Sequence, residues 1–197
     1  MNSGEILKVS VENVRSLTNN SLLIIRDIDT ILSKKGFSTL FGNTIGTEIS
    51  KNINQSYNQS SALFPQFISR FYLSNEELKN NEVKQVLCVN IQFYHPDVEA
   101  LVPVIIGGVF EFDSPVKDIK SVIQHWWLKY AVFEYEKDEP IVFNGKKFVC
   151  NPFEEGDTNV IFWGRELHEL NSESDIVNEV TSKLLDIYSK ENILNNY

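Results

Sequence analysis

Apolar side chains recur along this chain with two different periods. Over residues 3–34, Ile6, Val9, Val14 and Leu17, then Leu22, Ile25, Ile28 and Leu32, return every three or four residues. That is the period of one helix face. Ser3 is the expected N-cap, and Lys34-Lys35-Gly36 supply cations at the C-terminal dipole end and a terminating glycine. Thr18-Asn19-Asn20-Ser21 interrupts the stripe with residues that compete for backbone hydrogen bonds, so the pattern fits one long helix or two shorter ones. Residues 1–41 thus read as a helical segment. Residues 42–62 (GNTIGTEISKNINQSYNQSSA) read as a polar loop, because the Gly-Lys-Ser/Thr ending of a phosphate-binding loop is missing.

The period then falls to two. FPQFISRFYL (64–73), VKQVLCVNIQFYH (83–95) and LVPVIIGGVFEF (101–112) predict three strands. In the second, Leu87, Val89, Ile91 and Phe93 alternate with Cys88, Asn90, Gln92 and Tyr94, which predicts one packed and one partly wet face. Gly107-Gly108 predicts a bulge or bend. Ser114-Pro115 predicts the cap and first position of a helix reaching to about Tyr135, with Val116, Ile119, Ile123, Trp126, Tyr130 and Phe133 on one side. Asn144-Gly145 within IVFNGKKFVC (141–150) predicts a type I′ hairpin turn, and NVIFW (159–163) a last strand. Asn171 or Ser172 caps a closing helix carrying Ile176, Val180, Leu184 and Ile187 or Tyr188.

The order α(α)-βββ-α-βββ-α predicts a single α+β domain over 1–197, with a mainly antiparallel sheet of about five to six strands packed against helices. The regular βαβ alternation of nucleotide-binding sheets is absent. This order is loosely similar to that of small acidic chaperone-like and immunity-type proteins, which place helices against an antiparallel sheet and act by binding another protein. The resemblance is one of fold alone and implies no particular residue.

Charge narrows the partners. A net charge of −9, with the four arginines scattered at 15, 26, 70 and 165, argues against a nucleic-acid surface, which needs clustered cations. Cys88 and Cys150 are too few for a disulfide framework and too far apart for a zinc knuckle. The start MNSGEILKVS lacks a basic n-region and an apolar h-region, and the longest apolar runs fall short of the ~20 residues of a bilayer span. A cytoplasmic location, reduced thiols and no membrane partner are the expectation.

Three groups bear on chemistry. In HPDVEALVPVIIGGVFEFD (95–113), Asp97 and Glu111 occupy the acid positions of a Pro-Asp…acid-x-Lys nuclease core, but Asp113 stands where the lysine is needed. Two strands joined by a turn explain the stretch more simply. In QHWWLKY (124–130), Trp126 belongs to the buried stripe, whereas Trp127 lies about 100° further round. Trp127, with neighbouring His125, is the candidate contact for a partner or ligand. His95, His125 and His168 match no metal-ligand spacing, and the acid groups at 134–139 and 154–157 lack the spacing of a calcium loop. No cofactor is implied. The sequence therefore predicts a non-enzymatic interaction module that binds another protein or itself. A metal-dependent nuclease or phosphoesterase using Asp97, Glu111 and Asp113 is the alternative, and a small-molecule-binding module the second alternative.

Overall fold

A computed structural model describes residues 2–44, 46–47, 67–94, 102–125, 141–144, 147–150, 153–155 and 158–189. The side chains of 46–47, 124–125, 141–144, 147–150 and 153–155 are outside that description. The predicted helical segment is one helix, α1 (Ser3–Lys34), and Asn2 rather than Ser3 caps it. Asn2 accepts from the Glu5 backbone N–H at 2.9 Å while the Glu5 carboxylate accepts from the Asn2 N–H at 2.8 Å. This capping box satisfies two of the amides that a helix start leaves unpaired. The polar 18–21 stretch does not break the helix. Thr18 and Ser21 donate their hydroxyls back to the carbonyls of Val14 and Leu17 at 3.0 and 2.8 Å, so both are satisfied inside one continuous helix.

The remaining elements are β1 (Phe37–Thr39), β2 (Gly46–Thr47), β3 (Phe67–Ser74), α2 (Asn75–Asn80), β4 (Val83–Gln92), β5 (Val104–Val116), α3 (Ile119–His125), β6 (Ile141–Asn144), β7 (Lys147–Cys150), β8 (Phe153–Glu155) and β9 (Thr158–Glu166). A 3-10 turn (Leu167–Glu169), α4 (Glu173–Ile176), a π turn (Val177–Thr181) and α5 (Ser182–Tyr188) complete the described chain. Ser172 caps α4, as its sequence predicts, by accepting from the Asp175 N–H. The strands form one sheet in the order β1-β3-β4-β5-β9-β7-β6, with β2 beside β3 and β8 beside β9. Every described pairing is antiparallel. The fold is α+β, and among the described residues the sheet has nine strands because short strands join the predicted set.

Four expectations need correction. First, the central strands have no wet face. Leu87, Val89 and Ile91 face Ile25, Ile28 and Leu32 of α1 and Val180 and Leu184 of the closing helical segment. The alternate residues, with Cys88, pack among Phe71, Ile106, Phe110 and Phe162, under Ile119 and Ile123 of α3. Asn90 and Gln92 are buried with them, and Gln92 satisfies its amide on the Tyr94 carbonyl at 2.7 Å.

Second, Gly107-Gly108 is regular strand, paired without interruption to both β4 and β9. The glycines are needed for space. A Cβ on Gly107 would meet the Trp163 indole on one face, and one on Gly108 would lie 2.5 Å from the Phe162 ring on the other. Third, Ser114-Pro115 continues β5. The strand runs to Val116, which pairs with Val83, and the next helix starts beyond Asp118, whose carboxylate accepts from the Ser121 N–H. Pro115 is tolerated there because β9 pairs no further than Phe112, so the outer side of the strand needs no donor. Fourth, Asn144 pairs with Lys147, so it is the last residue of a strand and not the first central residue of a turn. Residues 145–146 themselves, the helix beyond His125, most of the polar loop and Asp97 lie outside the described residues.

Candidate functional site

Apolar burial on α1 changes abruptly along its length. Leu7, Val11, Val14, Thr18, Ser21, Ile25, Ile28 and Leu32 alternate at four and three residues, which aligns them on one side of the helix. From Ser21 onward that side is buried on the sheet. Before it, the same side projects past the body: Leu7 is 68% exposed, Val11 59% and Val14 42%, with Ile6 at 52% on the flank. Isolated exposed apolar residues are ordinary. A contiguous row that prolongs a packed stripe is not, and such rows mark contact surfaces. Lys8 and Arg15 border the row, with Glu5 and Glu12 behind them, and Lys8 pairs with Glu12 at 3.8 Å. A groove of 790 Å³ follows the helix between Glu12 and Leu22, and its described lining includes Val14, Arg15 and Thr18.

The buried half of α1 is tied to the sheet by an ion pair absent from the sequence expectations. Arg70 on β3 is 6% exposed and makes a two-point contact with Asp29 of α1, at 3.0 and 2.6 Å. It also donates to the Thr44 carbonyl at 2.8 Å, and the Tyr72 hydroxyl donates to Asp29 at 2.8 Å. Burial lowers the Arg70 pKa, but the hydrogen bond and charge of Asp29 outweigh it and leave the pKa raised. Burial, then the charge of Asp29, pushes Tyr72 well above the ordinary phenol value. Two-point guanidinium–carboxylate geometry fixes orientation. It clamps the C-terminal half of α1 to the sheet and so sets the angle at which the other half leaves. A 520 Å³ cleft beside the clamp is lined by Asp29, Ser33, Ser38, Thr39, Asn43 and Tyr72.

Of the residues singled out from sequence, Glu111 is 6% exposed, with the Gln85 side-chain amide 3.5 Å from its carboxylate, and Asp113 is exposed further along β5. Among the described residues the only grouping of potential metal ligands is Glu166, His168 and Glu169, which includes neither. There, both imidazole nitrogens face carboxylates, Nδ1 at 3.2 Å from Glu166 and Nε2 at 3.1 Å from Glu169. Arg165 also approaches Glu169 at 3.9 Å, so side chains of the protein itself already face these acids. His125 is the last residue of α3, its side chain outside the described set, and Trp127 lies outside it altogether. Cys88 is buried, and burial pushes its thiol far up, so it is no nucleophile at neutral pH.

Comparison with protein families, with curated proteins and with solved structures finds no match to the chain. Among the described residues, no helix is long and apolar enough to cross a membrane.

Proposed function

We propose that this chain is a protein-interaction module whose contact element is the N-terminal half of α1. One observation carries the reading: the row Leu7-Val11-Val14 continues the stripe that packs on the sheet, yet stands exposed. An isolated helix of this length is marginal in water, so an apolar row held out by a clamp gains most from a partner. Spacing of i, i+4 and i+7 is the anchor pattern by which amphipathic helices enter apolar grooves or pair with other helices. His125 and Trp127 remain a second proposed contact, on the strength of their sequence alone.

The test is a photo-crosslinking residue placed at Val11 in cells that make the protein. A protein adduct, on this chain or another, that disappears when Leu7→Lys and Val14→Lys are added is the expected result. Absence of any protein adduct at position 11, with adducts at exposed control sites equally absent, would remove the reading.

A further inference from the structure

We infer that the projecting halves of two α1 helices pair antiparallel, making the chain a weak symmetric dimer. The inference rests on the proposal that this half is a contact surface, and it names the occupant as a second copy.

The first argument is steric. Leu7, Val11 and Val14 point to the side of α1 that the body occupies further along, because they belong to the stripe of Ser21, Ile25, Ile28 and Leu32. A helix seated on the row therefore lies beside the body's edge. A second copy running parallel would drive its own residues 21–32, and the sheet they carry, into the first body. Running antiparallel, its own body lies past Asn2, clear of the described residues of the first copy. In that arrangement the row is self-complementary: Val11 meets Val14 of the second copy, and Leu7 meets Thr18 of the second copy. A two-fold axis crossing the helix pair requires this reciprocity.

The second argument is charge. Within residues 1–16, Lys8 and Arg15 balance Glu5 and Glu12, so the net −9 resides wholly on residues 17–197. Two acidic bodies repel if brought face to face. Pairing through the neutral halves holds them at opposite ends of a contact roughly 22 Å long, the rise of about 15 helical residues. It also brings the positive dipole end of each α1 towards the acidic body of the other copy, where Glu173 is exposed at the start of α4, which packs against α1. A lipid surface fits less well. Membrane-lying helices combine a cation-rich polar face with Trp, Phe or Leu, whereas residues 1–16 are net neutral and contain no aromatic side chain.

So short a contact belongs to the weak class of interfaces, with dissociation in the range of about 10–100 μM. Sedimentation of the full chain from about 2 to 200 μM should show a monomer passing into a dimer, while the Leu7→Lys/Val14→Lys chain stays monomeric with an unchanged far-ultraviolet spectrum. Orientation is read by mixing Val11→Cys chains with Val14→Cys chains under mild oxidation. Cross-links between unlike chains should form faster than between like chains, since parallel pairing would favour like with like. A monomer throughout the concentration range, preferential like-with-like cross-linking, or co-sedimentation of the monomer with anionic phosphatidylserine vesicles instead of dimerisation would overturn the inference. If the wild-type chain is monomeric while the position-11 crosslinker still captures another protein, the pairing fails and the interaction module stands.

Discussion

The two halves of α1 share one four-and-three apolar spacing and have opposite fates. Ile25, Ile28 and Leu32 are buried on the sheet, whereas Leu7, Val11 and Val14 on the same side meet solvent. Helical period therefore identifies a face that seeks burial without saying what buries it. What the buried half has and the first half lacks is a layer to pack on, to which Arg70 and Tyr72 of β3 also bind Asp29.

The largest effect separating the halves should come from truncating the stripe on each side of that boundary. Ile28 is fully buried among Leu87, Val89 and other core side chains, so Ile28→Ala should cost about 2–5 kcal/mol in chemical denaturation, from lost transfer energy and a cavity. Leu7→Ala should stay within about 0.5 kcal/mol. Equal costs would mean that the projecting half is packed in solution and would erase the comparison.

Next comes the clamp. Asp29→Ala leaves the Arg70 guanidinium buried without its carboxylate, and losses of about 3–5 kcal/mol attend such uncompensated charges. Since Asp29 is 27% exposed and water can approach, about 2 kcal/mol is the expected loss. Adding Arg70→Met should restore much of it, because the orphaned charge is then gone. A double variant no more stable than Asp29→Ala would show that the pair contributes attraction beyond removing a desolvation cost.

The extent of this that could be read from the residues follows their local physics. The buried side of the comparison was visible as the stripe Leu22-Ile25-Ile28-Leu32. On the projecting side the period was read through Ile6, Val9, Val14 and Leu17, so Leu7 and Val11 were missed. The β4 strand was visible as alternation. The clamp was not, because a pair 41 positions apart has no sequence signature. Its one trace is Arg70, the single charged residue of the mainly apolar FISRFYL, a cation that must find an acid if buried. The dry second face escaped for a related reason. Asn90 and Gln92 read as wet by type, and only the opposing layer containing Ile119 and Ile123 decides otherwise. Gly107-Gly108 read as a bulge or bend because glycine weakens strands, whereas Trp163 and Phe162, their partners on the neighbouring strand β9, need the room. Gly107→Ala should accordingly cost about 1–3 kcal/mol by overpacking, despite the better strand propensity of alanine.

Alkaline titration probes the clamp more gently. Tyr72 has its folded-state pKa raised well above the unfolded value of 10.0, by burial and then by Asp29. A raised pKa gives stability that is fully present below the unfolded pKa and lost as pH climbs towards the folded one. Unfolding free energy should thus decline from about pH 10 upward, and Tyr72→Phe should flatten that decline while leaving its course near pH 7 unchanged. A decline that is the same in the variant would assign the alkaline sensitivity to other groups, such as Tyr188, whose pKa is also raised by burial.

The smallest global effect, and the sharpest for the comparison, should follow Asn2→Ala. Asn2 receives the Glu5 N–H and gives its own N–H to the Glu5 carboxylate, so the substitution removes one half of the capping box. Cap losses cost about 1 kcal/mol, but here the cost falls on a half-helix that little else holds. Fraying should spread from Asn2 towards Thr18 and stop where Ser21 and Ile25 enter the core. Hydrogen exchange by mass spectrometry should then show faster exchange over residues 5–16 and unchanged protection over 25–32, with the melting temperature nearly constant. The protection lost at low concentration should return at high concentration in the wild-type chain and to a smaller degree in the variant, because pairing must first refold the half it buries. Were the two halves one cooperative unit, the cap substitution would instead lower protection along all of α1 and shift the melting temperature with it.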